Sequence, residues 1–205
     1  IAVYGEAAFA EVYGDVIPVD ESRVRIMEDG DSVMLAKRKL VFYDTPGHAR
    51  HHFCVYDPAS KGIFTGDTFG LSYPSLVTEN GPFILPTTTP VQFDPEALKH
   101  SIRRLLALSP ERMFLTHYGM LEAPGEPGER LISMVDDYVA LAEQAARGKE
   151  AGLLERLESA LQKYLFAKAH DHGVALSEEE LQEVLGFDIK LNSQGLKVWL
   201  QQRQV

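Results

Sequence analysis

The 205-residue sequence has one cysteine, too little positive charge to balance its acids, and no apolar run near the roughly 18 residues of a membrane helix. Each scarcity excludes something. With a single Cys54 there is no intrachain disulfide and no disulfide scaffold. In the run Phe53-Cys54-Val55-Tyr56 this thiol reads as a small packed hydrophobe, which suits a reducing compartment. A cytoplasmic location is the expectation. Lys and Arg total 20 against 30 Asp and Glu, a net charge of −10, which repels the phosphates of nucleic acids. Neither nucleic acid nor a membrane is expected as a partner. The apolar fraction of 45% is too high for a disordered chain and suits one domain or slightly more. The chain opens Ile1-Ala2-Val3 without Met, so a preceding segment is expected, and any targeting signal in it is out of view.

Pattern, not charge, divides the chain. Residues 1–122 read as short strands and turns. A helix over Glu6 to Tyr13 is followed by strands at Val24 to Met27, Ser32 to Leu35, Leu40 to Asp44, His52 to Tyr56 and Gly62 to Thr65. A long loop punctuated by Pro74, Pro82, Pro86 and Pro90 comes next. Asp94 and Pro95 start a helix with Leu98, Ile102, Leu105 and Leu106 on one face. Met113 to Thr116 is a last strand. Residues 123–205 read as helices only: Glu129 to Arg147, Ala151 to Lys168, Ser177 to Leu185 and Ser193 to Gln202. Ser177 and Glu180 form a capping box. The last two helices, joined through Gly186-Phe187-Asp188, have a helix–turn–helix flavour. Their acidic character favours docking within the protein over DNA, with Leu196, Trp199 and Leu200 as the buried face. His170 and His172 read as solvated helix-end residues.

Three short segments each follow a predicted strand: Thr45-Pro46-Gly47-His48-Ala49-Arg50-His51-His52, Thr65-Gly66-Asp67-Thr68 and Thr116-His117-Tyr118-Gly119. Loops at strand ends can converge at one sheet edge. His, Asp and His are donor types for zinc, manganese or iron, and a neighbouring glycine lets the backbone turn sharply beside an ion.

Taken together, TPGH, F-TGD and THYG in this order resemble the metallo-β-lactamase superfamily, and its glyoxalase II-like members in particular. The resemblance covers roughly residues 1–122. It implies an α/β (α+β) fold: 1–122 as the C-terminal half of the metallo-β-lactamase-like αββα sandwich, with a metal site at one edge, and 123–205 as a helical extension. It also implies a hydrolase that turns metal-activated water on an ester, thioester or related bond of a small-molecule substrate. Two divalent metal ions are implied, zinc first, with iron or manganese as alternatives. His48 would be a ligand of the first ion, His117 of the second, and Asp67 would bridge both and orient the hydroxide. His52 matches the second His of the longer TPGHTxGH form and would stand behind the ligands, although His51 replaces the usual Gly and Arg50 precedes it.

The superfamily's His-x-His-x-Asp-His segment is absent from these residues, and His170-Asp171-His172 does not match it. The remaining ligands are expected upstream of Ile1. Without them the chain is expected to hold metal weakly and its sheet to lack a covering layer. An iron-dependent persulfide dioxygenase-like oxidoreductase would use the same ligands, and a non-catalytic interaction protein of the same fold is a third reading. Tyr73, in Phe69-Gly70-Leu71-Ser72-Tyr73-Pro74, and Tyr118 are candidates for touching substrate, with Phe83, Pro86 and Thr87-Thr88-Thr89 near them; a simply packed loop is the competing reading. The helical extension is a candidate surface for homo-oligomer formation.

Overall fold

Asp94 accepts a hydrogen bond from the backbone N–H of Ala97 at 3.0 Å, and Pro95 occupies the first helical turn. This local chemistry starts helix α1, Pro95–Ala107, which buries Leu98, Ile102 and Leu105 as its spacing predicts. The computed structural model describes residues 14, 17–88, 92–117, 119–147 and 151–203. The helix expected over Glu6 to Tyr13 lies outside them.

Six strands form one sheet in the order β1-β2-β3-β4-β7-β8: β1 Ser32–Leu35, β2 Arg38–Asp44, β3 Phe53–Asp57, β4 Gly62–Phe64, β7 Arg112–Phe114 and β8 Met120–Glu122. All neighbours are antiparallel except β4 and β7, which run parallel with Phe64 opposite Phe114. The period-2 alternation sends β3, β4, β7 and β8 side chains to two faces. Ile63, Met113 and Leu121 are buried in the same continuous core as Ile102 and Leu105. On the opposite face Phe53, Phe64 and Met120 remain about half exposed, and Phe64 stacks on Phe114 with ring centroids 4.8 Å apart.

The mixed α/β architecture agrees with the expected fold class, but several local expectations change. The proline-punctuated stretch after Asp67 is a two-stranded ribbon, β5 Leu71–Thr78 and β6 Gly81–Leu85. Pro74 is tolerated because the ladder shifts register between Ser72 and Val77, where its missing N–H is not required. Val24 to Met27 pairs with no strand among the described residues; a 3-10 turn at Glu21–Arg23 precedes it. Strand β8 was not anticipated. It follows β7 through a tight turn in which the Leu115 N–H donates to the Gly119 carbonyl at 3.0 Å.

Beyond Glu122 the described residues form three helices: α2 Gly125–Ala146, α3 Leu153–Asp171 and α4 Glu178–Gln202. Helix α4 is continuous where two helices and a turn were expected. Gly186 costs on the order of 1 kcal/mol in a helix interior, and burial of Leu185 and Ile189 on either side offsets it. The helix–turn–helix reading is therefore overturned. The Ser177–Glu180 capping box is present, and Leu196, Trp199 and Leu200 are buried as expected. His172 is not solvated: it is 8% exposed, with its Nε2 3.0 Å from the Gly81 carbonyl oxygen.

Candidate functional site

Parallel pairing of β4 and β7 sets the geometry of the site. Asp67 and His117 each lie three residues beyond the paired Phe64 and Phe114. The two loops leave the sheet side by side, and His117 Nε2 comes within 3.1 Å of Asp67 Oδ1. His48 arrives from the β2–β3 connection, with its Nε2 3.6 Å from Asp67 Oδ2. That connection is fixed by α1. The Ser101 hydroxyl donates to the Pro46 carbonyl at 2.7 Å, and the Asp94 N–H donates to the Gly47 carbonyl at 2.8 Å. Gly47 has φ +134°, and a Cβ there would overlap the Leu98 backbone. Glycine is what lets the helix sit directly on the loop that carries His48.

The hydrogen bonds assign the imidazole tautomers. Thr87 Oγ1 donates to the Asp67 carbonyl at 3.2 Å and accepts from His48 Nδ1 at 2.9 Å. His48 therefore turns an Nε2 lone pair toward the Asp67 carboxylate. Burial holds the His48 pKa below its usual value, with the Asp67 charge opposing, so the ring stays neutral. Two imidazoles with the carboxylate between them form an N, O, N donor set that favours a cation. Two donors on one tetrahedral zinc, each at about 2.0–2.2 Å, lie roughly 3.3–3.6 Å apart, and the observed separations bracket that spacing. In this respect the residues fit a metal. The donors meet pairwise, however, and among the described residues no group of three or more His, Cys, Asp or Glu is arranged to hold an ion. The two-metal site that the sequence resemblance implies is thus not assembled among the described residues.

His52 braces Asp67 from behind. Its Nε2 accepts the Asp67 backbone N–H at 2.9 Å, so its proton sits on Nδ1, 2.9 Å from Thr68 Oγ1. Burial lowers its pKa, which keeps it neutral. Gly66, at φ +49°, gives the ring its space, since a Cβ there would strike the imidazole.

His48, Asp67 and His117 open into a cavity of about 320 Å³. Its far wall comes from α4, in Phe187, Asp188 and Leu191, and its side from Leu71 and Tyr73 of β5. The Tyr73 hydroxyl donates to Asp188 Oδ2 at 2.6 Å. Burial raises the Asp188 pKa, opposed by the Tyr73 bond and the nearby His117. Asn192, one turn along, accepts the Thr88 N–H at 2.7 Å and donates to the Pro86 carbonyl at 3.2 Å. These bonds fasten α4 to the strand of residues that holds His48. Tyr73 thus lines the cavity, whereas Phe69 and Phe83 are buried in the core. Tyr118 lies outside the described residues. Sequence reading missed Asp188, Leu191 and Asn192; the signal for Asp188 and Asn192 was a polar residue amid a helix's apolar spacing, and Leu191 gave none.

Comparison with known proteins follows the same lines. The profile of the metallo-beta-lactamase superfamily matches residues 2–117. A metallo-beta-lactamase fold-containing protein of Sulfurisphaera tokodaii is 31% identical over 111 residues, covering 54% of this chain and 39% of that protein. A hydroxyacylglutathione hydrolase of Citrobacter koseri is 33% identical over 57 residues, covering 28% of this chain and 22% of that protein. Among solved structures, an archaeal metallo-beta-lactamase superfamily protein from Sulfolobus tokodaii superposes with a TM-score of 0.53 at 22% identity, over 96% of this chain and 60% of that one. A metallo-beta-lactamase family protein from Thermus thermophilus gives 0.50 at 15% identity, over 96% and 57%. At these identities the structures establish likeness of fold. The chain spans less than half the length of the curated relatives it matches.

Proposed function

The chain belongs to the metallo-β-lactamase superfamily, and from that premise we propose that it is the C-terminal, ligand-bearing part of a metal-dependent hydrolase acting on an ester, thioester or related bond. The observation that carries this reading is the Asp67 carboxylate between two imidazole Nε2 atoms, at 3.6 Å from His48 and 3.1 Å from His117. In this reading His48, Asp67 and His117 would be the residues of this chain that hold divalent metal, zinc by donor type. Bound there, such metal would lower the pKa of water toward neutrality and act as a Lewis acid toward a carbonyl.

The chain's own residues prepare the site. Thr87 keeps the His48 proton on Nδ1 and leaves Nε2 free to coordinate. His52 fixes the Asp67 main chain, which limits the positions from which the carboxylate can meet the two imidazoles. Leu71 and Leu191 make part of the cavity apolar, which strengthens the electrostatics within it.

The test is metal content and thioester hydrolysis, measured on the full-length protein and on Asp67→Ala. The wild type is expected to retain zinc through dialysis and to hydrolyse simple thioesters, and Asp67→Ala to lose both. A wild type that retains no divalent ion and cleaves no ester or thioester overturns the reading.

A further inference from the structure

The wall of the cavity opposite Asp67 carries a second carboxylate that the hydrolase reading does not use. Asp188 is 8% exposed and comes from α4, far along the chain from the ligand loops. One of its oxygens is held by the Tyr73 hydroxyl at 2.6 Å. Phe187 beside it is 70% exposed, and Leu71 and Leu191 supply apolar surface between it and the ligands. Among the described residues this wall contains no Lys or Arg. A substrate seated in the cavity with its reacting bond at Asp67 runs past this wall, which Asp188 and Phe187 line. An anionic end there meets Asp188 with no cation to neutralise it, and like charges in a confined, partly apolar site repel strongly. A hydroxyl, amide N–H or ammonium meets an acceptor already oriented by Tyr73.

We propose that Asp188 is a specificity-determining residue: with Tyr73 it forms a tail subsite that selects substrates whose non-reacting end carries a hydrogen-bond donor and rejects those ending in a carboxylate. This rests on the hydrolase reading above and narrows it. Asp188 acts through its charge, and Tyr73 positions it.

The experiment uses zinc-loaded full-length protein and two lactoyl thioesters of similar size. One is built on N-acetylcysteamine, which carries an amide N–H two carbons from sulfur, and the other on 3-mercaptopropionate, which carries a carboxylate there. The wild type is expected to favour the first at least tenfold in kcat/KM, with the difference in KM. Asp188→Asn, which keeps the shape and removes the charge, is expected to bring the ratio to within about threefold. Tyr73→Phe removes the hydrogen bond that positions Asp188 but keeps the charge, and is expected to give a ratio between those of the wild type and Asp188→Asn. Equal use of both thioesters by the wild type, or a ratio unmoved in Asp188→Asn, overturns the proposal. If the wild type cleaves neither thioester, the hydrolase reading fails separately. Calorimetric binding of the unreactive S-methyl thioethers of the same two thiols then decides the subsite, with the same tenfold preference and the same loss in Asp188→Asn expected.

Discussion

His52 Nε2 accepts the backbone N–H of Asp67 at 2.9 Å, so the imidazole of one loop fixes the main chain of the next. The bond spans 15 residues and links the two loops that present His48 and Asp67. Replacing His52 with Ala leaves that N–H without its acceptor and the loop with more conformations. Orienting partners of this kind are worth about 10–100-fold in metal affinity or activity. His52→Ala is expected to lose zinc affinity by about that factor while keeping its far-ultraviolet circular dichroism. A zinc titration checks it; unchanged affinity would show that the loop holds itself.

Two glycines of α4 are expected to respond in opposite directions. A Cβ at Gly195 would overlap the carbonyl oxygen of Thr88, which is backbone and held by Asn192. Gly195→Ala is expected to destabilise by roughly 1–3 kcal/mol, as overpacking does. A Cβ at Gly186 meets only the movable amide end of Gln182, so Gly186→Ala is expected to stabilise the helix by up to about 1 kcal/mol. At this chain length 1 kcal/mol shifts Tm by about 2–4 °C, within reach of a thermal melt.

Cys54 is buried beside Thr45 and Thr65, and desolvation pushes its thiol up to about 11 from its ordinary 9.0. The thiolate is the reactive form, so the folded protein is expected to resist iodoacetamide at pH 8, and the denatured protein to label fully. A stability consequence follows from linkage. Between pH 9.0 and about 11 the folded state keeps a proton that the unfolded chain releases. The contribution of Cys54 is therefore complete below pH 9.0 and declines as pH rises through that window. Cys54→Ala is expected to flatten the alkaline limb of a stability–pH profile; an unchanged limb would contradict the assigned shift.

Ile63 and Phe64 are neighbours on β4 that face opposite ways. Ile63 is fully buried and Phe64 is 50% exposed. Ile63→Ala is expected to cost about 2–5 kcal/mol. Phe64→Ala is expected to cost markedly less, because half of the ring is already in solvent. Denaturant unfolding gives the comparison.

Much of the candidate site was legible because each segment that carries one of its His or Asp residues directly follows a strand and carries glycine or proline that fixes its turn. His48, Asp67 and His117 could be singled out as a set without knowing how the strands pair. The ribbon β5–β6 was not legible. Its prolines signal loop, and only the register shift between Ser72 and Val77 explains how a strand tolerates Pro74. Continuity of α4 through Gly186 was likewise hidden, since local propensity favours a break and the compensating burial of Leu185 and Ile189 comes from elsewhere in the chain.

The sequence by itself determined the donor types, their attachment to strand ends, the caps of α1 and α4 and the isolation of Cys54. These are properties of a residue and its immediate neighbours. The tertiary structure decided that Asp67 faces two imidazoles, because parallel pairing of β4 with β7 brings Phe64 level with Phe114. It also decided that Asp188 meets Tyr73 across 115 positions to wall the cavity. Such meetings depend on which surfaces pack together, and packing is a property of the whole chain that no local pattern encodes.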